Sequence, residues 1–215
     1  MYLMCRRPYY VRGLYVTRIY EAPPVWKAPP REVASATYTG EQNTSVIHEA
    51  VGRALSTWEH AESAFIKLYQ LLCETKSLAA CRAYGTAESV FARYLAQKYA
   101  AEEFFARRDA NDLRLVASLL KIYNDAAPYR NQIAHGMAVQ PHAFGYFLSP
   151  ASYASRRRDT PYPTQLWGLG ASYFYRVSEI DHCRDHFENI LKAAMSLVVY
   201  LNDKYQVLKY GDQHP

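Results

Sequence analysis

The clearest pattern in the chain is a run of apolar residues at three- and four-residue steps that begins near residue 45. This spacing places side chains on one face of a helix, so it predicts a long amphipathic α-helix over roughly 45–74. A similar stripe predicts a last long helix near the C-terminus, for which Ser178-Glu-Ile-Asp181 is a plausible capping pattern. The two stripes contain Val46, Ile47, Val51, Leu55, Trp58, Phe65, Leu68, Tyr69 and Leu72, and Ile180, Cys183, Phe187, Ile190, Leu191, Ala194, Leu197, Val198, Leu201 and Tyr205.

Two further helices are predicted between these stripes. One covers 86–106, and the other starts near Asp109 or Asp112. Pro128 is expected to interrupt or kink the latter, because proline lacks a backbone N–H and clashes with the preceding turn. After this break the helix can restart, and Gly136 is placed to end it in a left-handed cap.

The stretch 137–177 has a different pattern of residues, because its apolar and aromatic residues form two short runs at 143–148 and 171–177. We interpret it as a β-hairpin insertion before the last helix. The predicted fold is therefore mainly all-α, an antiparallel bundle of four to five helices with a small hairpin insertion. The helical domain should occupy 44–210.

Residues 1–43 form an extension rich in Tyr, Arg and Pro. Pro-Pro pairs at 23–24 and 29–30 exclude one continuous helix, whereas 10–20 could form a strand. The segment either packs on the main domain or stays loose. Its Tyr and Arg residues could stack on and pair with RNA, although tyrosines at strand spacing more often pack against a sheet or core.

Composition narrows the class of protein only slightly. The chain has 215 residues, is 50% hydrophobic and carries a formal charge of +5 with a pI of about 8.9. This charge suits a nucleic-acid partner and equally an ordinary solvated surface. The four cysteines form no C-x-x-C pair, and no apolar run is long enough to span a bilayer. We expect a cytoplasmic protein with reduced thiols and no membrane association.

The stretch YRNQIAHG, residues 129–136, carries the candidate chemistry. An Arg followed by a His at similar spacing also occurs at 53–60 and 176–182, so spacing alone identifies nothing. Context separates this copy, because Asn131 and His135 lie one helical turn apart and share a face. Arg130 can swing towards them and offers charged donors for a phosphate. At a helix C-terminus, the dipole favours the imidazolium form of His135.

The RNQIAHG motif, the long first helix with ALSTWEHAES and the final long helix together resemble the HEPN superfamily over roughly 45–208. That resemblance implies a helical-bundle ribonuclease of toxin–antitoxin, phage-defence or RNA-processing systems. Arg130 and His135 would be the catalytic pair and Asn131 a supporting residue. The implied mechanism uses no metal or cofactor: the RNA 2′-hydroxyl attacks the adjacent phosphate and leaves a cyclic phosphate end.

The resemblance also implies partners. Members usually form homodimers in which two motifs meet, and some pair with an antitoxin or another defence protein. Some toxins of the family have a tyrosine two residues after the histidine, which a partner nucleotidyltransferase modifies. Met137 stands there in this chain, which counts against that group of toxins.

Several other residues are weaker candidates. Glu59 or Glu62 on the first long helix could orient Arg130 or His135, or be ordinary rim residues. The run Arg156, Arg157 and Arg158 could contact RNA phosphates or be solvated surface. His182 and His186 share a helical face as metal ligands would, but without a second ligand cluster we interpret H-C-R-D-H as a solvated first turn.

Two alternatives to the nuclease remain open from the sequence. The first is a non-catalytic HEPN-like dimeric scaffold, in which Arg130 and His135 merely cap a helix end. The second is an RNA- or protein-binding module that uses the Tyr/Arg-rich extension without cleavage. Walker, G-x-G-x-x-G, H-E-x-x-H and G-x-S-x-G motifs are absent from the sequence, so nucleotide hydrolysis, dinucleotide binding and zinc-protease chemistry have no support.

Overall fold

A computed structural model describes residue 20 and residues 22–32, 34–141, 143–150 and 173–208. Within these residues the fold is mainly helical, with five helices and a two-stranded antiparallel hairpin before the last helix, as predicted. The elements are α1 Thr44–Leu72, α2 Leu78–Gly85, α3 Val90–Phe105, α4 Ala110–Ala134, β1 Met137–Val139, β2 Phe147–Ser149 and α5 Val177–Tyr205.

The two predicted amphipathic helices, α1 and α5, form the centre of the fold and share its largest interface. Asn43 caps α1, because its side chain accepts a hydrogen bond from the Ser45 backbone N–H at 3.0 Å. Trp58 of α1 is buried between Tyr123 and Phe187, with ring centroids 5.3 and 5.1 Å away. Removing this apolar surface from water is the main stabilising term of the bundle.

The predicted helix over 86–106 is confirmed as α3, and a short additional helix, α2, precedes it. Ser77 and Ser89 cap them, accepting hydrogen bonds from the Ala79 and Ala92 backbone N–H groups at 3.2 and 3.1 Å. These serines satisfy N–H groups that otherwise have no partner in a first turn. Helix α2 was not predicted, because Ser77 was overlooked as a helix start, and α3 begins four residues later than predicted, after its cap Ser89.

Helix α4 begins after its N-cap Asp109, as predicted, but it continues through Pro128 to Ala134. The predicted interruption at Pro128 is therefore wrong. Proline in a helix interior sacrifices one hydrogen bond, at a cost of about 3 kcal/mol. The buried residues Ala126, Ala127 and Ile133 flank it on both sides. Their packing keeps the chain helical.

The hairpin pairs β1 with β2, and Met137 lies opposite Ser149. The predicted strand over 143–148 overlaps β2, but its partner strand is β1 and not 171–177. From that second run, Tyr175 adds only an isolated bridge to Leu148, with both backbone hydrogen bonds at 2.8 Å. Helix α5 follows with Arg176 as its N-cap, which corrects the capping pattern expected at Ser178. Arg156, Arg157 and Arg158 lie outside the described residues.

The described part of the N-terminal extension packs on the domain. Glu32 bridges Phe174, the Tyr38 hydroxyl donates to the Phe174 carbonyl at 3.0 Å, and Glu41 bridges Tyr146. The strand predicted over 10–20 falls outside the described residues except for its last residue. Among the described helices, none is long and apolar enough to cross a membrane.

Candidate functional site

The last turn of α4 brings together the polar residues that the sequence singled out. Arg130 Nη1 donates a hydrogen bond to Asn131 Oδ1 at 3.3 Å. Its other terminal nitrogen, Nη2, lies 3.6 Å from Glu59 Oε1 on α1. The predicted swing of Arg130 towards Asn131 and the predicted approach of Glu59 are therefore both present in the structure.

His135 lies at the helix end. It is the C-cap of α4, and its backbone N–H donates to the Asn131 carbonyl at 3.0 Å. The side chain is exposed to solvent. The predicted position of His135 is thus confirmed. A group there is close to the negative end of the helix dipole.

Gly136 does not have the predicted left-handed conformation. Among the described glycines only Gly145 has a positive φ, of 91°. A Cβ built on Gly136 would lie 2.7 Å from Cγ of Leu148, a residue of β2. Glycine is required here because the hairpin packs directly against the backbone at the end of α4.

Gln132 anchors the same turn and was not predicted. Its side chain is buried, and Oε1 accepts a hydrogen bond from the Tyr175 hydroxyl at 2.8 Å. Burial raises the pKa of Tyr175, so its hydroxyl stays protonated and can donate. The sequence offered one signal for this role of Gln132, its place next to the candidate catalytic Asn131. The contact itself could not be predicted, because the partner Tyr175 lies 43 residues away along the chain.

The Arg130 guanidinium is only partly satisfied. Its two terminal nitrogens have the long contacts to Asn131 and Glu59, and Nε is buried without a hydrogen-bond partner among the described residues. The side chain is 29% exposed. An arginine in this state retains donors that an incoming anion can use.

Glu62, the other candidate on α1, lies in the core. Its Oε1 accepts hydrogen bonds from Trp58 Nε1 at 3.0 Å and the Tyr123 hydroxyl at 2.8 Å. Arg93 lies 3.1 Å from the same oxygen. These contacts join α1, α3 and α4, and they show Glu62 in a structural role. Its part in orienting the motif stays a prediction.

The H-C-R-D-H stretch is the predicted solvated turn only in part, since His182 and Asp185 are exposed. Cys183 and His186 are buried, and the Trp26 ring stacks on His186 with centroids 4.1 Å apart. Burial, aided by His182, lowers the pKa of His186 to about 4. The burial of His186 was not predicted, because its cause is Trp26 of the N-terminal segment. The described residues contain no group of three or more His, Cys, Asp or Glu that could hold a metal.

Comparisons with known proteins return no relative: the chain matches no protein-family model, no curated protein and no solved structure. The HEPN resemblance thus rests on the quoted motif and the order of the helices. The geometry around Arg130 is a separate observation. It places Arg130, Asn131 and His135 at one open helix end.

Proposed function

We propose that the protein is an endoribonuclease whose active site contains Arg130, Asn131 and His135. One observation carries this proposal. The last turn of α4 holds a partly unsatisfied arginine against Asn131, one helical turn from an exposed histidine at the helix end. A permanently charged donor set beside an imidazole that can give or take a proton suits phosphate chemistry.

The reaction follows from these side chains and the chemistry of RNA. The 2′-hydroxyl oxygen attacks the adjacent phosphorus, and the bond from phosphorus to the 5′ oxygen breaks. The products are a 2′,3′-cyclic phosphate and a 5′-hydroxyl. Arg130 would stabilise the negative charge that grows on the phosphorane oxygens. Asn131 holds the guanidinium at this position and can also contact the substrate.

Proton transfer is the role of His135. One proton must leave the 2′-hydroxyl, and one must reach the departing 5′ oxygen. An imidazole can perform either transfer at neutral pH. A homodimer in which two motifs meet would supply both a base and an acid, so the proposal includes a dimeric active form. No metal or cofactor is required for these steps.

A biological setting follows from the resemblance and is part of the proposal. Ribonucleases of this kind act in toxin–antitoxin and anti-phage defence systems, so an antitoxin or defence-system protein would be the expected partner. Arg156, Arg157 and Arg158 would contact the RNA backbone without reading its sequence. Neighbouring genes that encode such a partner would support this setting.

A non-catalytic scaffold is the second candidate, and the Arg130–Glu59 contact favours it. A carboxylate 3.6 Å from the guanidinium already offsets part of its charge without RNA. Such a contact would suit a helix end whose only task is to join α4 to α1. Glu59 is 66% exposed, however, so the contact is weak and a phosphate can displace it.

The deciding experiment incubates purified protein with mixed RNA in EDTA and follows fragment length and end chemistry. The wild-type protein should produce fragments with cyclic phosphate ends, and His135→Ala should not. His48→Ala removes another exposed histidine, on α1, and should cleave like the wild type. Equal cleavage by wild type and His135→Ala would remove His135 from the chemistry. No cleavage by a protein shown free of co-purified inhibitor would favour the scaffold.

A further inference from the structure

The end of α4, residues 129–135, carries the proposed active site, but its own backbone holds it weakly. Pro128 has no N–H to donate to the carbonyl one turn back, so one hydrogen bond is missing where this end joins the rest of the helix. The last carbonyls of a helix lack a following turn, and the closing bond from the Gly136 N–H to the Ile133 carbonyl is long, at 3.4 Å. A helix end of this kind frays unless other parts of the fold anchor it.

Tyr175 provides such an anchor through its side chain. Its hydroxyl donates to Gln132 Oε1 at 2.8 Å, and the two residues are only 1% and 2% exposed. Gln132 follows Asn131 in the sequence, so the bond restrains the chain next to the candidate asparagine. A hydrogen bond in the interior, where water does not compete, fixes its partners more firmly than one at the surface.

The hairpin holds Tyr175 in its turn. The backbone N–H and carbonyl of Tyr175 both pair with Leu148 of β2 at 2.8 Å. The side chain of Leu148 packs against Gly136, where an added Cβ would lie 2.7 Å from Leu148 Cγ. The paired residues Tyr175 and Leu148 therefore restrain the chain at Gln132 and at Gly136, and His135 lies between these two points.

The position of His135 matters more than its presence. Proton transfer requires the imidazole to lie within hydrogen-bond reach of the reacting oxygen. A displacement of about 1 Å is enough to lower the rate of such a step strongly. Arg130 tolerates displacement better, because charge attraction falls off slowly with distance and its long side chain can follow the phosphate.

We infer that Tyr175 is a positioning residue for the proposed cleavage reaction. Its hydroxyl holds Gln132, this bond fixes the end of α4, and the fixed helix end places His135 against the RNA. Tyr175 does not act on the substrate itself, because its hydroxyl is buried and already donates to Gln132. The inference rests on the proposed nuclease function.

The first arm of the test is kinetic. Tyr175→Phe removes only the hydroxyl and should lower kcat for RNA cleavage about tenfold, with KM changed less than about twofold. Tyr123→Phe is the matched control, because it deletes another buried hydroxyl with a 2.8 Å bond, in this case to Glu62 Oε1. It should lower the urea midpoint at least as much as Tyr175→Phe but leave kcat within about twofold of the wild type. Both variants are assayed at a temperature at which circular dichroism shows them folded.

The second arm does not depend on activity. Amides at a helix end exchange with solvent through local opening, so their rates report how firmly that end is anchored and not the global stability. The His135 N–H bonds to the Asn131 carbonyl at 3.0 Å. Followed by NMR, its exchange should be at least about fivefold faster in Tyr175→Phe and within about twofold of the wild type in Tyr123→Phe.

Three results would overturn the inference: an unchanged kcat in Tyr175→Phe, an equal loss of kcat in Tyr123→Phe, or a lower kcat without faster exchange at His135. Faster exchange with a normal kcat would make Tyr175 a structural anchor only. If the wild type does not cleave RNA, the proposed function fails and this inference fails with it. The exchange rates would then still show whether Tyr175 anchors the helix end.

Discussion

The two ends of α4 carry polar clusters of opposite character. Near the N-terminal end, the carboxylate of Asp112 is buried, with 1% exposure. It accepts hydrogen bonds from Tyr200 at 3.0 Å, Lys204 at 2.8 Å and Tyr205 at 2.6 Å. These three donors come from the last turns of α5. The cluster is closed and saturated, as a buried charge must be if it is not to destabilise the fold.

At the other end, Arg130 has two long contacts and a buried Nε without a described partner, and His135 faces solvent. At this end, the Arg130 guanidinium has more N–H donors than the described residues provide acceptors for. The two ends of α4 therefore differ in how fully their charged groups are used. The Asp112 carboxylate is saturated by the fold, whereas the Arg130 guanidinium keeps donors for a ligand.

The largest expected effect is on catalysis at the open end. Arg130→Ala should lower the rate of RNA cleavage by about 100- to 1000-fold, because it removes the main stabilisation of the phosphorane charge. The free energy of unfolding should change by less than about 1 kcal/mol, since the ion pair of Arg130 with the exposed Glu59 is long and weak. Single-turnover kinetics and urea denaturation measure the two quantities. Arg114→Ala, an exposed arginine on α4, is the control; a loss of stability without a loss of rate would make Arg130 structural.

A substitution in the Asp112 cluster, near the N-terminal end of α4, should lower stability and leave RNA cleavage unchanged. Asp112→Ala leaves Lys204 and two tyrosine hydroxyls without their shared acceptor, so it should lower the free energy of unfolding by about 3 kcal/mol. Cleavage at a temperature where the variant is folded should be unchanged. Asp125→Ala, which removes an exposed i,i+4 partner of Lys121, should not shift the urea midpoint measurably. If both variants shifted it equally, the distinction between the two ends would fail.

Acid should weaken the packing of Trp26 on His186, which lies near Tyr129 in the C-terminal part of α4. The pKa of His186 is lowered to about 4, from an ordinary value of 6.5, so the unfolded state binds its proton more readily than the folded state. The resulting stability is fully present above pH 6.5 and is lost as the pH falls towards 4. Its size is on the order of 2 kcal/mol after allowance for solvent screening. Urea midpoints between pH 4 and 7 measure this loss.

The variant His186→Phe serves as the comparison for that acid dependence. It keeps an aromatic ring against Trp26 but cannot bind a proton, so its stability should fall less steeply between pH 6.5 and 4. His182→Gln changes an exposed neighbour and should retain most of the slope. An unchanged slope in His186→Phe would show that other groups cause the acid dependence.

The smallest effect is expected for Glu59→Gln. This change removes the carboxylate charge that competes with RNA phosphate for Arg130, so KM for RNA should fall about threefold while kcat changes little. Stability should change by less than about 0.5 kcal/mol. Glu49→Gln, which alters the exposed partner of Arg53, should leave KM unchanged. A higher KM in Glu59→Gln would instead show that Glu59 orients Arg130 for binding.

Features with a local cause were predictable from the sequence. The stripes of α1 and α5 and the start of α4 at Asp109 follow from helical spacing and from a capping group near in sequence. The candidate site shares this property, because Arg130, Asn131 and His135 lie within two turns of one helix. Their grouping needed no knowledge of the rest of the fold.

Features with a distant cause were not predictable. Helix α4 passes through Pro128 because tertiary packing outweighs a local preference. Gly136 is a glycine because Leu148 approaches it, not because of its own φ. His186 is buried because Trp26 covers it. In each case the deciding partner belongs to another part of the chain, and periodicity carries no information about it.

The packing of the N-terminal extension has a consequence for how the chain is made. Tyr38 bonds to Phe174, 136 residues later, and α1 has its largest interface with α5. During synthesis, neither contact can form until the partner residues, which lie more than 100 residues further along the chain, have left the ribosome. The apolar face that α1 presents to α5 is then exposed in the nascent chain until α5 is complete, so we expect a chaperone to bind α1 during synthesis.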